Sequence, residues 1–252
     1  MTSDRPEPST TPAPSADRRP AGRRQRGGSS TRSWHGLIGQ VGDVLADLPV
    51  FLTAPLYRRW HLRWGSTDDE VASAMAGDAM FPDAPFVSTR TITIDADPAA
   101  VWPWLVQVGC GRAGFYSNDL LDNLARPSAT TIVPELQHLE IGQWIPMSPS
   151  STPTDKTALL VASFEVGSWM LWTKPGSTWS WQLTPTTSGG PRLVARIHTV
   201  YDWSHPLMAV LGVVLMEFGD FAMTRRMLRG IKTRAESLGD EHAPLPVGVR
   251  GA

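Results

Sequence analysis

The chain has 252 residues, enough for one large domain or two small ones with a sizeable core. Its 23 Lys and Arg against 24 Asp and Glu lack the basic excess of a dedicated nucleic-acid binder, and its one cysteine excludes an internal disulfide and a cysteine-ligated metal centre. Eleven Trp against three Tyr predict apolar walls that carry a few N–H donors.

The first 33 residues are rich in Pro, Ser, Thr, Arg and Gly and predict a disordered basic tail, because they hold almost no aliphatic residues to bury. Residues 1–34 carry a net charge of +4, and the remainder carries −5. No apolar stretch follows the arginines directly, so we expect no signal peptide. The longest apolar runs, Leu48–Tyr57 and Leu207–Met216, are shorter than the roughly 20 residues that a bilayer requires.

Residues 34–62 predict a helical extension packed on the rest of the chain. Apolar residues recur at helical spacing up to Leu48, and Pro49 and Pro55 then interrupt the pattern. The stretch Leu56–Trp64 mixes arginines with aromatic residues, which leaves contact with an anionic membrane surface open as an alternative.

The next elements carry recognisable start signals. Thr67 with Glu70 predicts a capping box at the start of a short helix. The β-branched run Phe86–Asp95 predicts a strand. Asp97 as N-cap, with a proline at the first helical position, then begins a helix, and Ser117 is expected to cap a second short one.

Short β-type runs separated by turn clusters follow and predict an antiparallel meander. These runs are Gln143–Met147, Ala158–Glu165, Ser168–Thr173, Thr178–Thr184 and Arg192–Trp203. The longest helical pattern of the chain then starts at Pro206 and ends near Leu238, and residues 239–252 are expected to form a flexible tail.

This order of elements is that of a helix-grip fold. The segment Thr91–Trp102 resembles the opening of the START-like superfamily, also called SRPBCC, which holds polyketide cyclase/dehydrase and lipid-transport proteins. The segments Trp104–Tyr116, Ile132–Glu135 and Met223–Glu236 are similar to an actinobacterial branch of it, most of whose members lack an assigned activity. The resemblance implies one α+β domain over residues 63–238. In it, a curved antiparallel sheet wraps round the long C-terminal helix and leaves a hydrophobic cavity.

Three functions follow as expectations from this resemblance and from the residues. The first is binding or carriage of a hydrophobic small molecule, lipid-like or polyketide-like, in the cavity. The alternatives are a cyclase/dehydratase-type enzyme and a peripheral scaffold docked on a membrane. We expect a cytoplasmic protein with no metal, no cofactor, no nucleic-acid partner and no obligate protein partner.

The segment Gly109–Gly114 matches a dinucleotide-binding pattern, G-x-G-x-x-G. That motif needs a strand before it and a parallel βαβ unit around it, whereas here a helix precedes and antiparallel strands follow. We therefore interpret it as a loop at the mouth of the cavity.

Candidate ligand contacts come from the region after the helix that Asp97 begins, from the meander and from the last helix. They are Arg112, Tyr116, Asp119, Trp172, Trp181, Arg196 and Phe218. Arg112 suits an anionic ligand group and Tyr116 a hydrogen bond. Asp119 has a plainer interpretation as a first-turn residue that the helix dipole favours.

Three residues, His198, Glu217 and Asp220, are candidate acids or bases. Arg196 and His198 share one face of the last strand, and they would line the cavity only if the opposite, aliphatic-rich face pointed away from it. Glu217 and Asp220 interrupt the apolar stripe of the last helix one turn apart. A carboxylate inside an apolar cavity would have a raised pKa, but both carboxylates would equally pair with arginines or face water.

Overall fold

The computed structural model describes residues 30–148, 152–186 and 190–241. Of the predicted tails, 1–33 and 239–252, residues 1–29 and 242–252 lie outside the described residues. The helices are α1 (Ser30–Thr53), α2 (Arg58–His61), α3 (Asp68–Ala72), α4 (Pro98–Val106), α5 (Asp119–Asp122), α6 (Pro206–Val214) and α7 (Asp220–Glu241). Single 3₁₀ turns span Ala54–Tyr57, Asp78–Met80 and Pro134–Leu136, and a π turn, Leu215–Gly219, joins α6 to α7.

Six strands form one antiparallel sheet in the order β1-β6-β5-β4-β3-β2. They are β1 (Phe86–Thr93), β2 (Trp144–Pro146), β3 (Ala158–Glu165), β4 (Trp169–Lys174), β5 (Ser177–Thr184) and β6 (Arg192–Thr199). The predicted meander is confirmed, although its last strand ends four residues earlier than the sequence pattern indicated. The α+β helix-grip arrangement of a curved sheet and a long C-terminal helix is likewise confirmed.

The side of the sheet that packs against α7, which we call the front face, carries the core. On β6 the front-face residues are Leu193, Ala195 and Ile197, which agrees with the expectation that the aliphatic set points inward. Met227 and Ile231 of α7 lie in the same buried cluster. Burial of these side chains is the main contribution that holds the helix on the sheet.

Local signals explain where the first helices begin. Thr67 and Glu70 form the predicted capping box in full. Asp97 accepts a hydrogen bond from the backbone N–H of Ala99 at 2.8 Å and caps α4 as predicted. The predicted cap of α5 was wrong, because the hydroxyl of Ser117 donates to a carbonyl of α7 at 3.0 Å instead.

Helix α1 differs from the sequence prediction at both ends. It begins at Ser30, inside the predicted tail, and it continues through Pro49. A proline inside a helix removes one backbone hydrogen bond. Ion pairs from Asp43 and Asp47 to Arg226 of α7 hold this segment against the domain.

Candidate functional site

Three tryptophans lie side by side on the front face of the sheet. Trp172 of β4 is the register partner of Trp179 on β5, and Trp181 points to the same face two residues later. The ring centroids of Trp179 and Trp181 are 5.0 Å apart and stacked, and Trp172 lies 5.5 Å from each of them. All three are buried. We call Trp172, Trp179 and Trp181 the tryptophan wall.

The indole N–H groups of the tryptophan wall are buried and have no hydrogen-bond acceptor among the described residues. A buried donor without an acceptor costs about 1–3 kcal/mol. The wall is therefore an apolar surface with three unsatisfied donors, which an oxygen atom of a bound molecule would satisfy.

The wall shares a row of the sheet with a buried arginine. Trp181 of β5 is paired with Ala195 of β6, and Ala195 is paired with Arg90 of β1. Neighbouring strands are about 4.8 Å apart, so Trp181 and Arg90 flank the small side chain of Ala195 at about 10 Å between Cα atoms. Arg90 is fully buried, and its Nη2 finds no acceptor within the described part of the chain.

Arg90 belongs to a polar cluster beneath the π turn, made of Arg58, His61, Arg90, Glu217 and Asp220. Arg90 donates through Nη1 to Oδ2 of Asp220 at 2.5 Å and through Nε to the carbonyl of His61 at 2.9 Å. Nε of Arg58 lies 2.8 and 2.9 Å from the two carboxylate oxygens of Glu217. Both carboxylates that were candidate acids or bases thus pair with arginines, the alternative that the sequence left open.

Two titratable residues of this region were not singled out from the sequence. His61 is fully buried, and neither ring nitrogen has a partner in residues 30–148, 152–186 or 190–241. Burial, reinforced by the charge of Arg90, lowers the pKa of His61 below its usual value, so the ring is neutral at pH 7. Burial and the negative charge of Glu217 raise the pKa of Tyr201 to about 12.

The candidate contacts after the Gly-rich loop bond their own surroundings. Arg112 donates to the last carbonyl of α4 at 3.0 Å. The hydroxyl of Tyr116 donates to the carbonyl of Trp104 at 3.1 Å. Asp119 accepts the backbone N–H of Ser128 at 2.9 Å. These contacts stabilise the connection between α4 and the following loops.

The Gly-rich loop itself is a tight turn rather than a phosphate cradle. Gly109 and Gly114 exchange two backbone hydrogen bonds of 3.1 Å, and both have positive φ. Helix α4 precedes the loop, and every strand pair of the described sheet is antiparallel. The parallel context of a dinucleotide site is therefore missing from the described chain.

Arg196 and His198 lie on the opposite, back face of the sheet. Arg196 donates to the carbonyls of Glu70 and Ser73 at 2.7 and 2.9 Å, and it forms an ion pair with Asp78. It thereby holds the segment that follows α3 against the back of the sheet. Burial lowers the pKa of His198, and the charge of Arg196 adds to this effect.

The structure therefore brings only some of the candidates together. Trp172 and Trp181 lie in the wall. Asp220 contacts Arg90, which is separated from Trp181 by Ala195. Phe218, by contrast, is 38% exposed on the outer side of the π turn. Alternation along β1 puts Arg90 on the same face as Phe86 and Ile92, but no role for Arg90 was expected from the sequence.

The interior between sheet and α7 corrects the expectation of an open cavity. The side chains of the tryptophan wall occupy it at 0–8% exposure. A hollow of about 400 Å³ lies at the start of α4, and another of about 290 Å³ lies at the segment after α3, where it reaches Trp181 of the wall. Their lining residues include Asp95–Pro98 with Pro185 for the first, and Ala74–Ala76 with Trp181 and Gln182 for the second.

No family model matches the chain, and no curated protein matches it. Among solved structures, the chain is similar to a polyketide cyclase-like protein, Cgl2372 from Corynebacterium glutamicum, at 13% identity and a TM-score of 0.33, over 63% of this chain and 96% of that one. It is also similar to an AHSA1-like protein from Aeromonas hydrophila at 15% identity and a TM-score of 0.33, over 64% and 99% of the two chains.

A third similar structure is the di-domain ARO/CYC protein StfQ from the steffimycin biosynthetic pathway, at 15% identity and a TM-score of 0.37. The match covers 64% of this chain and 55% of StfQ. The chain has a helix-grip architecture, which rests on its own strand order and long C-terminal helix. Similarities at these TM-scores carry nothing about its activity.

Proposed function

We propose that this protein binds a hydrophobic small molecule that carries carbonyl or hydroxyl oxygens, on the front face of the sheet between the tryptophan wall and Arg90. The molecule lies over Ala195, the smallest side chain of that row. Apolar rings would bury most of its surface, and the indole N–H groups would orient its oxygens.

One observation carries this proposal: the front face holds four buried N–H donors that no described residue satisfies. Three belong to the tryptophan wall, and the fourth is Nη2 of Arg90. Because buried donors are nearly always paired in folded proteins, four in one row and its neighbour point to an acceptor that arrives from outside. A ligand that accepts two of them gains free energy that water-exposed donors would not provide.

Binding requires side chains to move, because the rings of the wall are almost fully buried between the sheet and α7. Trp179 is the most exposed member of the wall at 8%. The π turn beside the polar cluster is the irregular part of the last helix, and π turns commonly occur at functional sites. We therefore infer an induced fit in which the π turn and Trp179 give way.

The contacts favour binding over catalysis. Glu217 and Asp220 are held by Arg58 and Arg90, and His198 lies on the back face, so the described residues place no convergent acid and base against the wall. A cyclase/dehydratase-type enzyme needs such a pair to move protons.

Native mass spectrometry of freshly purified protein, followed by titration with the hydrophobic probe Nile red, tests the proposal. Trp181→Phe keeps an aromatic ring but removes one N–H donor, so affinity for an oxygen-bearing ligand should fall about two- to tenfold. Trp169→Phe is the matched control, since its indole already donates to Glu165 at 3.0 Å. The proposal fails if no adduct is seen and Nile red binding is not saturable.

A further inference from the structure

The outer sides of α1 and α6 are apolar and exposed. On α1 the exposed residues follow helical spacing on one side, and on α6 and the π turn they do the same. We call them together the apolar face: Ile38, Val41, Leu45, Leu48, Leu52, Leu56, Leu207, Leu211, Leu215 and Phe218. Leu56 is 84% exposed and Leu207 is 80% exposed. Such a surface is large for a monomeric soluble protein.

The two halves of the apolar face meet. The 3₁₀ turn Ala54–Tyr57, which follows α1, contacts the π turn Leu215–Gly219. Arg58 also reaches Glu217 there, so the junction is fixed by an ion pair. Exposed Leu52 and Leu56 therefore lie beside the exposed residues of the π turn, and the face is continuous across both elements.

Length and composition allow either helix to enter a bilayer. The stretch Gly36–His61, from α1 through α2, and the stretch Pro206–Leu238, from α6 through α7, are each long and apolar enough by composition to cross a bilayer. Of the most apolar 18 residues in each, 6% and 28% are buried. The sequence had indicated runs too short for this, because it treated Leu48–Tyr57 and Leu207–Met216 as isolated. The most apolar part of a core helix in a water-soluble domain would be mostly buried, and these two parts are not.

Charges on the opposite side of α1 show how it would lie. Asp43 and Asp47 face away from the apolar stripe and pair with Arg226, and Gln40 donates to the carbonyl of Ala125 at 3.1 Å. These contacts hold α1 along the domain. Helix α6 with its π turn has 14 residues, which at 1.5 Å per residue reach about 21 Å, short of the roughly 30 Å of a hydrocarbon core.

The chemistry of the face favours lipid over a protein partner. From Leu207 to Met216 no side chain can donate or accept a strong hydrogen bond, whereas protein interfaces carry a polar rim and regular hydrogen bonds. At its border, Arg59 and Trp60 are exposed, which is the pairing typical of the headgroup region. Residues 1–29, just before α1, contain six Arg against three acidic residues.

We propose that the apolar face inserts into one leaflet of an anionic bilayer, with α6 and the π turn as the deeper part and α1 lying along the interface. Hydrocarbon covers the leucines, and anionic headgroups meet Arg59 beside Trp60. This inference concerns a surface and does not depend on what the tryptophan wall binds.

Vesicle co-sedimentation of the full chain tests it, with phosphatidylcholine vesicles alone and with vesicles that also contain phosphatidylglycerol. Leu211→Asp should lower the partition coefficient at least about tenfold, because a buried leucine contributes roughly 1.5–3 kcal/mol. Val166→Asp is the matched control, since Val166 is 73% exposed in the turn between β3 and β4, outside the face. Equal binding by both variants, or no binding by the parent protein, overturns the proposal.

Two further measurements decide the mode of contact. A polarity-sensitive dye on Leu211→Cys should shift to the blue with anionic vesicles, and the same dye on Val166→Cys should not. Resistance to alkaline carbonate extraction would show spanning helices and overturn the interfacial arrangement. A lipid-free dimer that Leu211→Asp dissociates would assign the face to a second copy and also overturn it.

Discussion

Arg90 on β1 and Asp220 at the start of α7 form an ion pair with 2.5 Å between Nη1 and Oδ2, in which Arg90 is fully buried and Asp220 is 9% exposed. The same guanidinium lies 5.4 Å from the ring centroid of Phe221 and donates to the carbonyl of His61. One side chain thus connects the first strand, the segment after α1 and the last helix. The polar cluster is therefore a structural joint as well as one end of the proposed ligand site.

Asp220→Ala should destabilise the protein by about 3–5 kcal/mol, because it leaves the charge of Arg90 buried and unpaired. Urea denaturation followed by circular dichroism measures the change in the free energy of unfolding. Asp68→Ala removes the partner of Arg63 in an exposed pair and should cost at most about 1 kcal/mol. If the two variants lose similar stability, the joint is not where the structure indicates.

Much of the fold was predictable because the local signals agree with one another. The capping box at Thr67, the Asp97 cap and the regular strand runs each depend on neighbouring residues alone. Alternation along β6 correctly predicted that Ala195 and its aliphatic neighbours point inward. Alternation along β1 puts Arg90 on the same face as Phe86 and Ile92, but its burial beside Asp220 was not inferred from that pattern.

The partners in the candidate site were not predictable from one sequence. Spacing showed that Glu217 and Asp220 lie on one side of a helix, but their arginines come from α2 and β1, more than a hundred residues earlier. Arg196 lies on the back face and donates mostly to backbone carbonyls. Its partners were not predictable because carbonyls leave no pattern in a sequence. The filled interior depends on how three large rings pack, which periodicity does not specify.

Gly230→Ala should destabilise the protein by about 1–3 kcal/mol or more, despite the better helix propensity of alanine. A Cβ at Gly230 would lie 2.2 Å from the backbone oxygen of Tyr116, so α7 and the loop after α4 would have to separate. Gly39→Ala in α1 is the matched control, because nothing lies within 4 Å of its Cβ position. That variant should gain up to about 1 kcal/mol, and thermal unfolding of both compares them directly.

Stability should fall as the pH rises through the region between about 4 and 7, through Asp122 of α5. Burial, with the charge of Asp119 adding to it, raises the pKa of this carboxyl from 3.8 to about 7. The folded protein therefore retains a proton that the unfolded chain has already released. The free energy of unfolding falls with rising pH until the folded pKa is passed. The destabilising contribution of Asp122 is complete above its pKa in the folded protein and absent below its pKa in the unfolded chain.

Asp122→Asn should accordingly raise the melting temperature at pH 8 and leave it almost unchanged at pH 4. A shift of about three units corresponds to at most about 4 kcal/mol at the higher pH. The melting temperatures of the two proteins, measured across this pH range, should be similar at pH 4 and differ increasingly as the pH rises. Parallel curves would show that Asp122 titrates normally in the folded state.

Glu217→Gln separates a carrier from an enzyme once native mass spectrometry has identified a ligand. The Glu217 carboxylate is bound by Arg58, whose side chain is 41% exposed, so the loss of this pair should cost little stability. A protein that only binds draws most of its affinity from apolar burial, and we expect the dissociation constant to change less than about threefold. An enzyme that used this carboxylate as acid or base would lose about 10²–10⁴-fold in turnover with nearly unchanged binding.

Isothermal titration measures the dissociation constant, and mass spectrometry of the conversion of the identified ligand measures the turnover. Turnover by the parent protein that disappears in the variant would reject the carrier function and assign the chemistry to the polar cluster.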